Sequence, residues 1–249
     1  MPDHATLAID GSIATLTLER AEKRNALSLP LLDSARAHVA ELSSNTAVRA
    51  LVLTGAGRAF CAGMDLRAVL DEPGAPHRLL DSIAELAIAL VELDTVVIAA
   101  VNGAAIGGGC GLACAADLAI THAEATLGFP EVDLGLCPAV VAPWVHRRLG
   151  GARARQVLLT GGTMTGLRAA EIGLVDALVP TADDVLPEAT ERARTIAGGG
   201  AEALAATKHL LSELDGARFK TLSRSGAALS ASVLAGPEAQ ARLRGALSG

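Results

Sequence analysis

The stretch that most constrains this chain runs from Val96 to Asp117 and reads VVIAAVNGAAIGGGCGLACAAD. Its apolar, β-branched opening (Val96, Val97, Ile98) predicts a buried strand. The glycine cluster Gly107, Gly108, Gly109 follows, and then a small-residue helix through Cys110, Leu112, Ala113 and Ala116. A strand that ends in glycines and opens a helix aims free backbone N–H groups and the positive helix end into a crevice. Such a place stabilises negative charge, either a bound phosphate or an oxyanion forming during a reaction.

The phosphate alternative is tested by spacing. A dinucleotide fingerprint needs G-x-G-x-x-G, and Leu112 stands where the third glycine is required after Gly107 and Gly109. No G-x-x-x-x-G-K-[ST] loop occurs, which removes phosphoryl transfer. An N–H group aimed at a single oxygen remains. The loop Ala59 to Asp65, which also follows a predicted strand, can supply a second. Two loops leaving neighbouring strands at one sheet edge give the geometry of an oxyanion hole. The same glycines also fit two tight turns that close the core. Glu131 lies in an otherwise apolar stretch directly after Pro130. A carboxyl group fixed there has a raised pKa suited to proton transfer near neutrality, although the position equally fits a surface glutamate at a turn.

Composition narrows the partners. Aromatic residues are 2 % of the 249 and tyrosine is absent, so the core is expected to be Ala, Val, Leu and Ile, and base-stacking platforms are excluded. With 51 % hydrophobic and 19 % charged residues the chain is globular, and its length suits one domain with a C-terminal appendage. The net charge of −6 argues against a polyanion surface, so no nucleic-acid partner is expected. The first residues, MPDHATLAIDGS, lack a basic segment and a long apolar run, so no secretory signal is read. No stretch approaches ~18 uninterrupted apolar residues, so no membrane span is expected. Cys61, Cys110, Cys114 and Cys137 sit in apolar or glycine-rich surroundings without metal-ligand spacing. They are expected to be buried thiols in a reducing, cytoplasmic setting, with no metal site.

Along the chain, Thr6–Ile9 and Ile13–Leu18 predict a hairpin about Asp10-Gly11. Ser28 is expected to cap a helix over Leu31–Leu42, and Val48–Leu53 to form a strand. A loop over Asp71–His77 leads to a helix over Leu79–Leu93. After the opening stretch, strands are expected at Asp117–Thr121 and Thr126–Phe129, and helices over Val140–Leu149, Ala152–Leu159 and Thr165–Ile172. A strand at Val175–Val179 precedes helices over Asp184–Ile196, Ala201–Leu214, Ala217–Leu234 and from Pro237. The expected class is α/β: a layered core over residues 1–180 and a helical region over 181–249, with the boundary near Thr181.

Several spaced motifs together resemble the crotonase (enoyl-CoA hydratase/isomerase) superfamily over nearly the whole chain. They are Lys23-Arg24-Asn25-Ala26-Leu27, Ala59 through Leu66 (AFCAGMDL), Ile98 through Gly103 (IAAVNG) with Gly107 to Cys110, Phe129-Pro130-Glu131 through Leu134-Gly135, and Thr160-Gly161-Gly162 with Ala169 to Val175. The resemblance implies a spiral of ββα units with a helical C-terminal trimerisation region, assembled as a homotrimer or a hexamer of two trimers. It implies an acyl-CoA thioester as ligand, with coenzyme A part of the substrate and no separate cofactor. The backbone N–H groups of Met64 and Gly108 would form the oxyanion hole. Arg24, Ala26, Ala62, Asp65 and Leu66 would run along the coenzyme A moiety, while Gly107, Pro130 and Leu134 belong to the substrate-binding motifs. The acyl pocket would be lined by the 66–93 region and the C-terminal helices.

One position departs from the family pattern. Two-glutamate hydratases carry a first glutamate where this chain has Gly111, three residues after Gly108 and facing the same pocket. A glycine inside a helix costs ~1 kcal/mol against alanine, so open space or a close approach is expected there. Glu131 would then act alone as acid/base, in double-bond isomerisation or single-glutamate hydration. A non-catalytic acyl-CoA-binding protein and another enolate reaction, decarboxylation or thioester hydrolysis, are the alternatives. Ala139 stands where dienoyl isomerases carry an acidic residue, which argues against that subclass. Asp133 is read as structural. His77 and His122 are candidate helpers by residue type alone.

Overall fold

The structure, a computed structural model, describes residues 4–66, 74–216 and 218–248. Two sheets and a set of helices are built from alternating segments. Strands β1 (Ala5–Asp10) and β2 (Ile13–Leu18) form the expected antiparallel hairpin, closing with Asp10 opposite Ile13. Gly11 supplies the positive φ (58°) of its turn. Helix α1 (Leu29–Ser43) starts at Ser28, whose backbone is extended as a cap requires, although its side chain makes no capping bond. Strands β3 (Ala50–Gly55), β5 (Val96–Val101), β7 (Leu118–His122) and β10 (Ala177–Val179) complete a six-stranded sheet in the order β1-β2-β3-β5-β7-β10, parallel from β2 onward.

The central strands are buried on both faces, and their period of two divides the core. Leu51, Leu53, Val97, Ala99 and Val101 face one side, where α1 and α2 (Ala75–Glu92) pack. Ala50, Val52, Ile98, Ala100 and Ile120 face the other, against α6 (Val185–Ala197). That helix presents Val185, Ala189, Ala193 and Ala197, a stripe at four-residue spacing small enough for close helix–sheet packing.

A second sheet arises from elements too short to leave a periodic signal. Strands β4 (Ala59–Cys61), β6 (Ala104–Ile106), β8 (Thr126–Gly128) and β9 (Thr163–Thr165) pair in the order β4-β6-β8-β9. Only β8 is expected from the sequence; β4 lies in a segment read as loop, and β6 interrupts the expected passage from strand to glycines. Helix α3 (Gly108–Ala115) follows β6 and is buried throughout. The two helices expected between 140 and 159 are present as two halves of α4 (Ala142–Thr160), separated by a kink at Gly150, where φ is 71°. Helices α5 (Gly166–Glu171), α7 (Ala201–Asp215), α8 (Arg218–Leu234) and α9 (Pro237–Ser248) fall close to expectation. α2 begins at Ala75, earlier than predicted. Residues 71–73 of the predicted loop lie outside the described residues, as do the first three of the chain. α8 packs along α2 and α4.

Candidate active site

The first wall of the site starts from an uncommon backbone. Arg24 and Asn25 both have positive φ (52° and 55°), and Asn25 is fully buried. Asparagine tolerates this conformation better than most residues because its short amide bonds locally. Its Oδ1 accepts from the Arg20 N–H at 2.9 Å, and its Nδ2 donates to the carbonyls of Ala56 (3.0 Å) and Ala59 (2.8 Å). The turn so fixed pairs with the loop after β4. Ala62 N–H donates to the Arg24 carbonyl (2.9 Å), Leu27 N–H to Gly63 (2.7 Å), and Asp65 N–H to Leu27 (3.0 Å). In this parallel bridge between Leu27 and Met64, the engaged groups belong to Gly63 and Asp65. Successive amides of an extended chain point to opposite sides, so the Met64 N–H faces away from Leu27.

The second wall is the glycine turn. Gly107 has φ 53° and donates its N–H to the Gly128 carbonyl at 2.8 Å. Gly108 is the first residue of α3, so its N–H has no intrahelical acceptor. The walls come together at Gly63 (φ 86°), where a Cβ would lie 2.7 Å from the Ile106 carbonyl oxygen and 3.8 Å from the Gly108 nitrogen. Glycine is required for that approach. Neither the Met64 nor the Gly108 N–H donates a hydrogen bond to any described residue.

The third wall carries the carboxyl group. Phe129 is buried and bonded to Gly162 (3.0 Å), and Pro130 turns the chain so that Glu131 lies at the start of a short 3-10 turn, Val132–Leu134. Glu131 Oε1 is 2.8 Å from where a Cβ on Gly107 would stand. Its Oε2 is buried without a hydrogen-bond partner. Burial pushes the Glu131 carboxyl up to about 7, its own backbone N–H opposes that rise, and the negative charge of Asp133 adds to it. Leu80, Ile83, Leu134, Val140 and Leu234 line the same cavity with hydrocarbon. A carboxyl with one unpaired oxygen, in the same apolar cavity as two free N–H donors, can move a proton beside a carbonyl whose oxygen is held.

The cavity thus brings together Ala62, Met64, Leu66, Gly107, Gly108, Pro130, Glu131 and Leu134. Arg24, Ala26 and Asp65 flank it. Arg24 is exposed, the Ala26 carbonyl accepts from the Arg20 guanidinium (3.0 Å), and Asp65 forms an ion pair with Arg20 at 2.8 Å. Gly111 is a correction, because it does not line the cavity. A Cβ there would meet Val141 Cγ1 at an impossible 2.3 Å, so close approach and not open space explains this glycine. His77 and His122 are not part of the cavity wall either. Asp133 bonds the Gly162 N–H (2.7 Å), a structural role as read. Cys61, Cys110 and Cys114 are buried free thiols, and burial pushes Cys61 up to about 12. Cys137 is half-buried at the cavity wall. Among the described residues no group of three or more His, Cys, Asp and Glu side chains could hold a metal ion, and no helix is long and apolar enough to cross a membrane.

Sequence reasoning missed the turn from Cys137 to Val141. Ser230 of α8 donates to the Cys137 carbonyl (2.7 Å) and accepts from the Val140 N–H (3.3 Å), while Ser223 donates to the Val140 carbonyl (3.1 Å). These serines recur at 223 and 230 on one helix face, but their partners lie some ninety positions away. Only the tertiary structure reveals them.

Known proteins are similar to this chain in sequence and in fold. The family model described as enoyl-CoA hydratase/isomerase matches residues 8–230. The "Probable enoyl-CoA hydratase echA8" of Mycobacterium tuberculosis is 36 % identical over 195 residues, covering 78 % of this chain and 75 % of the relative. The structure of Pseudomonas aeruginosa OdaA superposes with a TM-score of 0.90 at 29 % identity, over 99 % of this chain and 100 % of that one. The enoyl-CoA hydratase of Bacillus anthracis gives 0.80 at 29 % identity over 90 % of each chain. The chain belongs to the enoyl-CoA hydratase/isomerase family, within the crotonase superfamily.

Proposed function

We propose that this protein moves a proton along an acyl-CoA thioester and so shifts its carbon–carbon double bond, with Glu131 as the single acid/base. The observation that carries this reading is the lone buried carboxyl, unpaired at Oε2, beside the free N–H groups of Met64 and Gly108. The thioester oxygen would accept from both N–H groups. The Glu131 carboxylate would take the C2 proton of a 3-enoyl thioester, leaving the electron pair in an enolate. The resulting acid would return the proton at C4, and the double bond moves from C3=C4 to C2=C3. Atoms are conserved and no water is consumed. Two pre-aimed donors stabilise such an enolate by several kcal/mol.

Isomerisation is favoured over two-glutamate hydration because Val141 stands against Gly111, where the second carboxylate would be rooted. Arg24, Ala26, Ala62, Asp65 and Leu66 form the rim along which coenzyme A would lie. We assign the region from 181 onward to assembly. Leu210, Leu211 and Leu214 of α7 and Leu222 and Leu229 of α8 are exposed, which fits burial against further copies of this chain in a homotrimer or hexamer. Four free cysteines fit a reducing, cytoplasmic setting.

The test mixes the purified protein with a 3-enoyl-CoA and, separately, with crotonyl-CoA. A double-bond shift that falls at least ~100-fold in Glu131→Gln supports the reading. Turnover unchanged in that variant removes Glu131 as the base, and micromolar binding without turnover favours an acyl-CoA-binding protein.

A further inference from the structure

We infer that Val141 is the residue that sets this site for proton transfer and against water addition, because it fills the place where a side chain at position 111 would stand. The inference rests on the reading of Glu131 as the acid/base.

Gly111 is in the first turn of α3, and its N–H donates to the carbonyl of Gly107, the residue before the helix, at 2.8 Å. From Gly107 the Cβ direction meets Glu131 Oε1 at 2.8 Å; from Gly111 it meets Val141 Cγ1 at 2.3 Å and Cβ at 2.9 Å. Carbon atoms do not sustain such distances, so Gly111 and Val141 are a complementary pair: the helix gives up a side chain and the turn supplies one. Val141 is almost wholly buried and cannot easily step aside. Its N–H bonds the Pro138 carbonyl at 3.2 Å, and α8 clamps the preceding residue on both sides through Ser223 and Ser230. Between those serines, Gly226 brings the α8 backbone against Ala139, where a Cβ would lie 2.2 Å from the carbonyl oxygen.

Selectivity follows from what each reaction needs. Hydration forms a bond between a water oxygen and C3 while a proton is delivered to C2, so a water must be held beside the substrate. An ordered water needs two to four polar partners. Behind the cavity wall, which neither Gly111 nor Val141 lines, the methyl groups of Val141 fill the place of a side chain at 111, and among the described residues Glu131 Oε2 finds no donor. The double-bond shift returns the proton it removes and needs no water.

The test compares crotonyl-CoA hydration with the 3-enoyl to 2-enoyl shift in wild type, Val141→Ala, the pair Gly111→Glu with Val141→Ala, and Glu131→Gln. The ratio of hydration to isomerisation is expected to rise ~10-fold in Val141→Ala and ~100-fold in the pair, where a carboxylate gains both root and room. Should the pair not fold, Val141→Ala alone carries the kinetic test. Packing is read independently by thermal unfolding: Gly111→Ala should lower Tm, and adding Val141→Ala should restore part of the loss. A neutral Gly111→Ala overturns the inference. So does an unchanged ratio in Val141→Ala while the wild-type shift still depends on Glu131, and in that case the reading of Glu131 stands. If Glu131→Gln keeps full isomerisation, that reading fails and the role of Val141 fails with it.

Discussion

Glu131 owes its proposed role to what surrounds it. Raised from an ordinary 4.5 to about 7, the carboxyl is part acid and part base near neutrality, where a proton taken at one carbon can be returned at another. Only the carboxylate can take the first proton. kcat/KM for the double-bond shift should therefore rise ~10-fold per pH unit below about 7 and level off above it. A pH profile that is flat between 5 and 7 would contradict the assignment. The same shift affects stability with the opposite sign. The native state holds the Glu131 proton more tightly than the unfolded chain does, so stability from this group is present below about 4.5 and lost as pH rises through about 7. Glu131→Gln should thus be more stable than wild type at pH 8, by roughly 1–3 kcal/mol, and no more stable at pH 4.5. Urea unfolding at the two pH values measures the difference.

At the scale of elements, the loop that aims the Met64 N–H is held by backbone bonds to the turn over Arg24–Leu27, and a side chain fixes that turn. That side chain is Asn25, whose one buried amide makes three hydrogen bonds. Asn25→Ala leaves the Arg20 N–H and the Ala56 and Ala59 carbonyls without that partner. The expected destabilisation is about 2–4 kcal/mol by chemical denaturation. Because the Ala62 to Asp65 loop is bonded to this turn, turnover at permissive temperature should fall as well; loss of stability with kcat intact would separate the turn from the Met64 amide. Much of the element order was legible beforehand. The hairpin at Asp10-Gly11 and the helices from α1 to α9 carry either turn chemistry or a repeat of three to four. The short strands β4, β6 and β9 carry neither, since three residues such as Ala59-Phe60-Cys61 cannot display a period. Their pairing partners created them.

For the whole molecule, α7 and α8 lie at the outside with a band of exposed leucines, Leu214 at 75 % exposure among them. Exposed leucines grouped on two neighbouring helices are expected to be covered by self-association. Sedimentation should give three or six chains per particle, and Leu210→Glu with Leu214→Glu should shift the distribution toward smaller species. A monomer at micromolar concentration would refute it. The far face of the main sheet is sealed within the chain by the alanine stripe of α6.

The sequence by itself determined the family, the alternation of strands and helices, and the glycine and glutamate walls of the cavity, because these are written in local spacing: glycines after a strand, a proline before a glutamate, motifs in a fixed order. Three things were decided only by the tertiary structure. They are the direction of the Met64 amide, the unpaired state of Glu131 Oε2 and the filling of the space at Gly111. Each depends on a partner distant in sequence: Leu27 for Met64, the hydrocarbon of α2 and α8 for Glu131, and Val141, held by two serines of α8, for Gly111. A missing side chain in a sequence shows only that something must be close. The fold alone shows what that neighbour is, because packing excludes every side chain but the one that fits.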